Sequence, residues 1–114
     1  MNKQCYLIID YHYGDMQVYL LDMKGLVLSS AHQQVSIRSS ESGWKDYDPL
    51  DITYCLRSAI NQAIQKKKKT TFEIIGIGIV TDGHSCLMWD KETGAPLTPA
   101  VPGMCVRAKQ VISK

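Results

Sequence analysis

The sequence predicts an α/β fold whose elements follow one another in the order β-β-β-α-β-β. Apolar runs of strand length, separated by short turns, fill residues 4–37. A single stretch with helical periodicity comes next, and a second strongly apolar run follows it. Because a helix connects the early strands to the later ones, we expect a mixed sheet with some parallel neighbours.

The first three strands are predicted to form an antiparallel meander. Residues 4–10 are almost uninterruptedly apolar, which is typical of a strand buried on both faces. Turns at Gly14 and Gly25 separate it from a second strand over 16–22 and a third over 26–37. Such short connections favour antiparallel pairing. Residues 39–48 are polar and are interpreted as a loop.

The helix is predicted to begin at Asp48 and Pro49, a strong N-cap followed by proline at the first helical position. The acidic Asp51 in the first turn favours the helix dipole. Apolar side chains then recur at spacings of three and four: Ile52, Leu56, Ala59, Ile60, Ala63 and Ile64. The lysine run 66–69 is interpreted as the solvated last turn of the helix rather than as a nuclear address signal.

The second half of the chain is predicted to add two strands. Residues 72–80 indicate a buried strand, in which Gly76 and Gly78 leave one face bare for the close approach of another element. Thr81 to His84 should turn, and residues 85–90 indicate a further strand that a hairpin over 91–94 closes. Three later prolines predict an extended, irregular segment. We interpret residues 1–114 as a single domain.

Composition excludes several classes of protein. Hydrophobic residues make up 45% and charged residues 21%, and the net charge of +2 supports neither nucleic-acid nor membrane binding. The first residues do not resemble a signal peptide, and no run approaches the roughly 20 apolar residues of a membrane span. We therefore expect a cytoplasmic protein. The four cysteines are too widely spaced for a zinc site and are interpreted as structural thiols: Cys5, Cys55, Cys86 and Cys105.

Three groups of short motifs occur in a specific order. The first comprises residues 7–10 (LIID), followed by Asp22 and Gly25. The second comprises Gly43-Trp44 and Tyr47-Asp48-Pro49. The third comprises residues 75–79 (IGIGI), followed by Trp89-Asp90, Thr93-Gly94 and Pro96-Leu97. In this order and spacing the motifs resemble the N-terminal part of the FGGY family of carbohydrate kinases, which includes glycerol, xylulose and gluconate kinases.

The resemblance, which covers residues 7–100, implies both a fold and an activity. The fold is a ribonuclease-H-like (actin-like ATPase) half-domain, so that residues 1–114 form the N-terminal portion of an FGGY carbohydrate kinase domain. The activity is transfer of the ATP γ-phosphate to a sugar or polyol hydroxyl, with Mg²⁺ and ATP as cofactors. Since the family places its general base in the other half of the domain, we expect no catalytic residue and no activity in this chain alone.

The resemblance also implies a cofactor-binding hairpin. Asp10 matches the family's carboxylate that holds water around Mg²⁺, and His12, Tyr13 and Gly14 occupy the hairpin that cradles the ATP phosphates. The family has a glycine and then small hydroxyl residues there, because backbone N–H groups must reach the phosphate unobstructed. Here two side chains are bulky and Asp15 would repel phosphate. We therefore expect the hairpin to suit ATP poorly.

The substrate-binding turn implied by the resemblance follows the IGIGI strand. It comprises Asp82, Gly83 and His84, and xylulose- and gluconate-type kinases carry a histidine at the position of His84. An imidazole can donate to and accept from neighbouring hydroxyls. A solvated turn histidine remains an equal alternative. Asp82 and Gly83 depart from the family's glutamine-containing pattern. Beyond this turn, only Arg107 remains of the family's tryptophan-acid-arginine segment.

Other interpretations are open. A metal cluster of Asp10, His12 and Asp15 is weakly indicated, and a nuclease would need Asp10, Asp22 and Asp82 to meet. The stronger alternative is a degenerate, kinase-like binding or regulatory module without catalysis. Because the chain would form only part of a sheet, we expect an uncovered edge strand. Its partner would be the missing remainder of a kinase or a second, self-associating copy.

Overall fold

Six strands and one helix make up the part of the chain that the computed structural model describes, residues 2–40 and 42–102 apart from the Asn2 side chain. Cys105 and Arg107 lie outside the described residues. The elements are β1 (Asn2–His12), β2 (Asp15–Leu21), β3 (Val27–Gln34), β4 (Arg38–Ser39), β5 (Lys45–Asp46), α1 (Pro49–Gln65) and β6 (Thr71–Thr81).

The main sheet has the strand order β3-β2-β1-β6. β1 pairs antiparallel with β2 and parallel with β6, and β2 pairs antiparallel with β3. The predicted meander and the predicted mixed sheet are thus confirmed. Because β1 and β6 run in the same direction, their carboxyl ends, His12 and Thr81, reach the same edge of the sheet.

β1 is buried on one face only, so the prediction of burial on both faces is wrong. Cys5, Leu7 and Ile9 are buried with the side chains of β2 and α1, whereas Tyr6 and Ile8 alternate with them and are partly exposed. The apolar run lacks alternation because both faces carry apolar side chains, but α1 covers just one of them.

α1 begins as predicted: Asp48 Oδ1 accepts a hydrogen bond from the Leu50 N–H at 3.0 Å. Its small residues Ala59 and Ala63 are fully buried against the sheet. Ser29 Oγ of β3 donates to the Ala63 carbonyl at 2.6 Å, which ties helix to sheet. The helix ends at Gln65, so the lysine run follows the last turn rather than forming it, and that prediction is wrong.

β6 is an exposed edge strand, not the buried strand that its composition predicts. Ile77 and Ile79 are 63% and 67% exposed because α1 packs on β2 and β3. The glycines of β6 do permit close approach, but the approaching groups are side chains of β1. A Cβ at Gly76 would lie 3.1 Å from Tyr6 Cδ1, and one at Gly78 would lie 3.0 Å from Ile8 Cδ1.

The segment after β6 turns at residues 82–84 but forms no regular strand within the described residues, so the prediction of a strand over 85–90 is wrong. It makes isolated bridges, between Cys86 and Val101 and between Trp89 and Pro96. The opposing chain contains Pro96 and Pro99, which have no N–H to continue a ladder. The loop predicted over residues 39–48 contains regular structure, because β4 and β5 form a short antiparallel pair. The polar composition of the loop did not predict this pairing.

Two of the three described cysteines act as core residues. Cys5 and Cys55 are buried, and burial raises the pKa of both thiols. Cys86 is a free thiol, as predicted, but it is exposed and does not belong to the core. Over the described residues, no helix is both long enough and apolar enough to cross a membrane.

Candidate functional site

The hairpin between β1 and β2 is a tight two-residue turn. Tyr13 and Gly14 have φ angles of +51° and +85°, the left-handed conformation that matches the twist of a two-stranded hairpin. Gly14 is also required by space, because a Cβ there would lie 2.9 Å from both Tyr47 Cε1 and the Val35 carbonyl oxygen. The Val35 N–H donates to the Gly14 carbonyl at 2.7 Å, which ties the hairpin turn to the segment after β3.

Asp10 lies near the carboxyl end of β1, as predicted, between Gln17 of β2 and Val80 of β6. It forms an ion pair with His12 two residues later on the same face. The oxygen that contacts the imidazole is Asp10 Oδ1, which is enclosed. This oxygen is therefore already paired with His12, and His12 would have to turn away before a metal-bound water molecule could reach it.

The alternative metal and nuclease clusters do not assemble. Asp15 pairs with His32 of β3 instead of joining Asp10 and His12. The described residues contain no group of three or more histidine, cysteine or acidic side chains that could hold a metal. Asp22 follows Leu21, which pairs with Tyr6, so it lies at the opposite end of the sheet from Asp10.

A pocket of about 460 Å³ opens beside the carboxyl ends of β1 and β6. Aromatic, aliphatic and small polar side chains line it: Tyr11, Tyr47, Ile52, Thr81, Asp82, Gly83, Ser85, Cys86, Leu87, Trp89 and Ala100. Asp82 and Gly83 of the predicted substrate turn thus reach the pocket. His84 is exposed and is not one of these lining residues.

Asp82 is engaged by neighbouring groups. Its Oδ1 accepts from the His84 N–H at 3.0 Å, and the Ser85 hydroxyl donates to both carboxylate oxygens, at 3.3 and 3.4 Å. The backbone N–H of Tyr13, in the hairpin turn, also interacts with this carboxylate. Partial burial raises the pKa of Asp82, but these N–H and hydroxyl donors outweigh it and bring the pKa below its usual value.

Two tyrosines connect the hairpin to the pocket. The Tyr11 and Tyr47 rings meet edge to face, with centroids 6.5 Å apart. The pKa of Tyr11 is raised to about 12, mainly by burial and to a smaller extent by the nearby Tyr47 and Asp82. The Gly14 backbone N–H lowers this pKa but does not offset the rise. Burial likewise raises the pKa of Tyr47, whose enclosed hydroxyl has no hydrogen-bond partner in the described residues.

Sequence reasoning missed Tyr11, Tyr47 and Trp89 as pocket residues. The alternation of side chains along a strand could have identified Tyr11. Because Tyr11 directly follows Asp10, its side chain must lie on the opposite face of the sheet, at the same carboxyl end of β1. Tyr47 and Trp89 had no comparable local signal, because loop connections bring them to the pocket.

The hairpin does not fit a nucleotide phosphate as it stands. Phosphate loops present small residues and unobstructed backbone N–H groups, but here the two-residue turn carries the bulky Tyr13 side chain. Asp15 adds a negative charge at the start of β2. Asp10 is a carboxylate of the kind predicted beside Mg²⁺, but its Oδ1 contacts His12. No step of phosphoryl transfer can be assigned to this hairpin.

Comparison with known proteins determines the family. Residues 5–114 match the N-terminal domain of the FGGY family of carbohydrate kinases. The chain belongs to this family. A glycerol kinase of Francisella philomiragia is 28% identical over 111 residues, covering 97% of this chain and 22% of the relative. A Leptospira biflexa glycerol kinase is 30% identical over 112 residues, with the same two coverages.

Solved structures of FGGY kinases share the fold. Plasmodium falciparum glycerol kinase with ADP superposes with a TM-score of 0.90 at 24% identity, covering 98% of this chain and 22% of that one. Xylulose kinase from Rhodospirillum rubrum gives a TM-score of 0.85 at 16% identity, covering 96% and 22%. The expected actin-like half-domain is therefore confirmed, and the chain spans 22% of the length of these proteins.

Proposed function

We propose that this chain is the N-terminal part of an ATP-dependent carbohydrate kinase, located in the cytoplasm, and that it contributes the pocket for a sugar or polyol. The pocket beside β1 and β6 carries the proposal. Ligands of sheets with parallel strands bind beyond the carboxyl ends of those strands, which is where this pocket opens.

The pocket lining suits a carbohydrate. Tyr11 and Trp89 offer flat apolar surfaces for the C–H face of a sugar or polyol, and Ser85 and Thr81 offer hydroxyl groups. We propose Asp82 and Gly83, which line the pocket, and the exposed His84 beside them as the substrate-binding residues. In the proposed enzyme, Asp10 holds water around Mg²⁺, and His12, Tyr13 and Gly14 form the hairpin nearest the ATP phosphates.

The chain does not transfer phosphate alone in this proposal. The general base and the second wall of the nucleotide cleft belong to the remaining part of the kinase, consistent with the 22% of the relatives' length that this chain spans. The exposed isoleucines of β6 support such an arrangement, because a further element on that strand would bury them.

Tryptophan fluorescence tests the pocket. Trp89 lines it, whereas Trp44 lies in the β4–β5 turn. Titration with glycerol, xylulose or gluconate should therefore change the emission of the wild-type chain and of Trp44→Phe but not of Trp89→Phe. Absence of a saturable change with all three compounds, or an equal change after Trp89→Phe, would contradict a carbohydrate pocket at this position.

The second candidate is a degenerate kinase-like module that regulates or binds a partner. The bulky Tyr13 in the hairpin turn and the acidic Asp15 that follows it favour this candidate. Calorimetry with Mg·ATP should then show no saturable binding to the 114-residue chain. The reading frame beyond the Lys114 codon separates the candidates. A continuing frame with a second carboxylate and a glycine-rich adenosine-binding segment supports the kinase, whereas an immediate stop supports the module.

A further inference from the structure

We propose that Asp82 makes the pocket beside β1 and β6 selective for carbohydrates that carry an ammonium group. This inference rests on the proposed function, because it names the class of sugar or polyol that the pocket would take. For ligands that are otherwise alike, it predicts that the amine binds more tightly than the neutral compound and that the sugar acid binds most weakly.

Asp82 gives the pocket a negative charge. Among the described residues that line the pocket, no other side chain is a carboxylate, and none is that of lysine, arginine or histidine. His84 is exposed and does not line the pocket. A positive ligand group would therefore meet the carboxylate without a competing cation, whereas a ligand carboxylate would meet a like charge.

The Asp82 carboxylate is held in its turn but can accept further hydrogen bonds. Its Oδ1 accepts from the His84 N–H at 3.0 Å, and the Ser85 hydroxyl lies 3.3 Å from Oδ2 and 3.4 Å from Oδ1. An ionised carboxylate has about four acceptor positions, so these neighbours leave lone pairs for the N–H or O–H groups of a ligand. Hydrogen bonds from a cationic donor to a carboxylate are stronger than those from a neutral one.

The sheet register places Asp82 and an aromatic ring at the same edge. Tyr11 of β1 pairs with Thr81 of β6, and both strands run in the same direction. Asp82 follows Thr81 and therefore emerges beside the end of β1, where Tyr11 lines the same pocket. Proximity of the carboxylate to this end of β1 follows from the backbone pairing.

Trp89 adds a second aromatic surface. It lines the pocket, its side chain is 63% exposed, and a bridge to Pro96 anchors its backbone. The face of an aromatic ring attracts a cation, and tryptophan does so most strongly. Aromatic faces beside a carboxylate, without a cationic side chain in the lining, suit an ammonium group better than a hydroxyl or a carboxylate.

Two matched ligand series test the predicted order through the emission of Trp89. Glucamine, glucitol and gluconate differ in one terminal group, and aminopropanediol, glycerol and glycerate repeat the comparison on a smaller skeleton. In Trp44→Phe, which leaves Trp89 as the one tryptophan, the amine should bind roughly fivefold more tightly than the neutral compound, and the acid should bind more weakly. Added salt should reduce these differences. Any other order of affinities, or equal affinities, would overturn the inference.

Asp82→Asn separates the charge from the structure of the turn. Asparagine can still accept from the His84 N–H, but the advantage of the amine and the disadvantage of the acid should disappear. Asp22→Asn is the matched control and should keep the order, because Asp22 caps a turn at the far end of the sheet by accepting from the Lys24 and Leu26 N–H groups. An equal loss of affinity for all the ligands in Asp82→Asn would show that Asp82 only supports the turn. If Asp82→Asn fails to fold by circular dichroism, Asp82→Ser provides the same test, since serine can cap the turn without charge.

Failure of this inference is distinguishable from failure of the proposed function. If ligands of both series bind without the predicted order, the carbohydrate pocket stands and charge selection by Asp82 is refuted. If no member of either series gives a saturable change in Trp89 emission, the carbohydrate pocket itself is contradicted, and both proposals are overturned.

Discussion

At the scale of single residues, two neighbours in β1 serve different surfaces. Asp10 lies on the face that carries His12, and Tyr11 lies on the opposite face, beside Tyr47 and the pocket. Because strand residues alternate, a single strand end contributes a carboxylate to one surface and an aromatic ring to the other. The β1–β2 hairpin must therefore keep Asp10 and Tyr11 on opposite faces of the sheet.

Gly14 is the residue on which that hairpin depends most. Gly14→Ala should lower the free energy of unfolding by about 2–4 kcal/mol, because it combines an unfavourable φ with overpacking against Tyr47 and Val35. Urea denaturation followed by circular dichroism measures the change.

Gly25→Ala is the control for this prediction. Gly25 has the same φ of +85°, but nothing lies within 4 Å of a Cβ placed there. Gly25→Ala should therefore lower the free energy of unfolding only through its unfavourable φ, by about 1–2 kcal/mol. Equal losses in the two variants would show that packing under the hairpin tip contributes nothing to stability.

At the scale of elements, α1 was predictable and β6 was only partly so. The start of α1 depends on Asp48 and Pro49, neighbouring residues whose effect needs no distant partner. The strand nature of β6 also followed from its composition. Its exposure did not, because burial depends on where α1 packs, and that is decided by residues of β2 and β3 far away in sequence.

The N-cap of α1 gives a prediction at this scale. Asp48→Ala should lower the free energy of unfolding by about 0.5–2 kcal/mol through loss of the acceptor for the Leu50 N–H. Asp48→Asn should retain most of the stability, since asparagine caps about as well. Thermal unfolding compares them, and an equally destabilised Asp48→Asn would indicate that charge rather than the cap hydrogen bond matters.

At the scale of the whole molecule, the sheet is covered on one side and only in part. α1 covers β2 and β3, so the face of β6 that carries Ile77 and Ile79 remains open. The sequence predicted such an uncovered edge from its resemblance to part of a larger domain. The pocket was only partly predictable, since Asp82 and Gly83 follow a recognisable strand, whereas Tyr47 and Trp89 arrive through loops.

The open isoleucine surface predicts self-association of the isolated chain. Sedimentation velocity should show concentration-dependent association that the double substitution Ile77→Lys and Ile79→Lys reduces, because charge on an edge strand opposes pairing. Since both side chains are exposed, stability should change little. Leu97→Lys, at an exposed residue outside β6, should leave association unchanged. A wild-type chain that stays monomeric at all concentrations would contradict the prediction.

The parallel pairing of β1 with β6 also sets an order of events during synthesis. β1 and β2 leave the ribosome early and can pair at once, but the other edge of β1 waits for Thr81, which pairs with Tyr11. The sixty-nine residues between Tyr11 and Thr81 take roughly 3–14 s to translate. During that interval β1, an interior strand of the finished sheet, is an exposed edge strand. The nascent chain therefore needs protection from pairing with other strands before the pocket beside β1 and β6 can form.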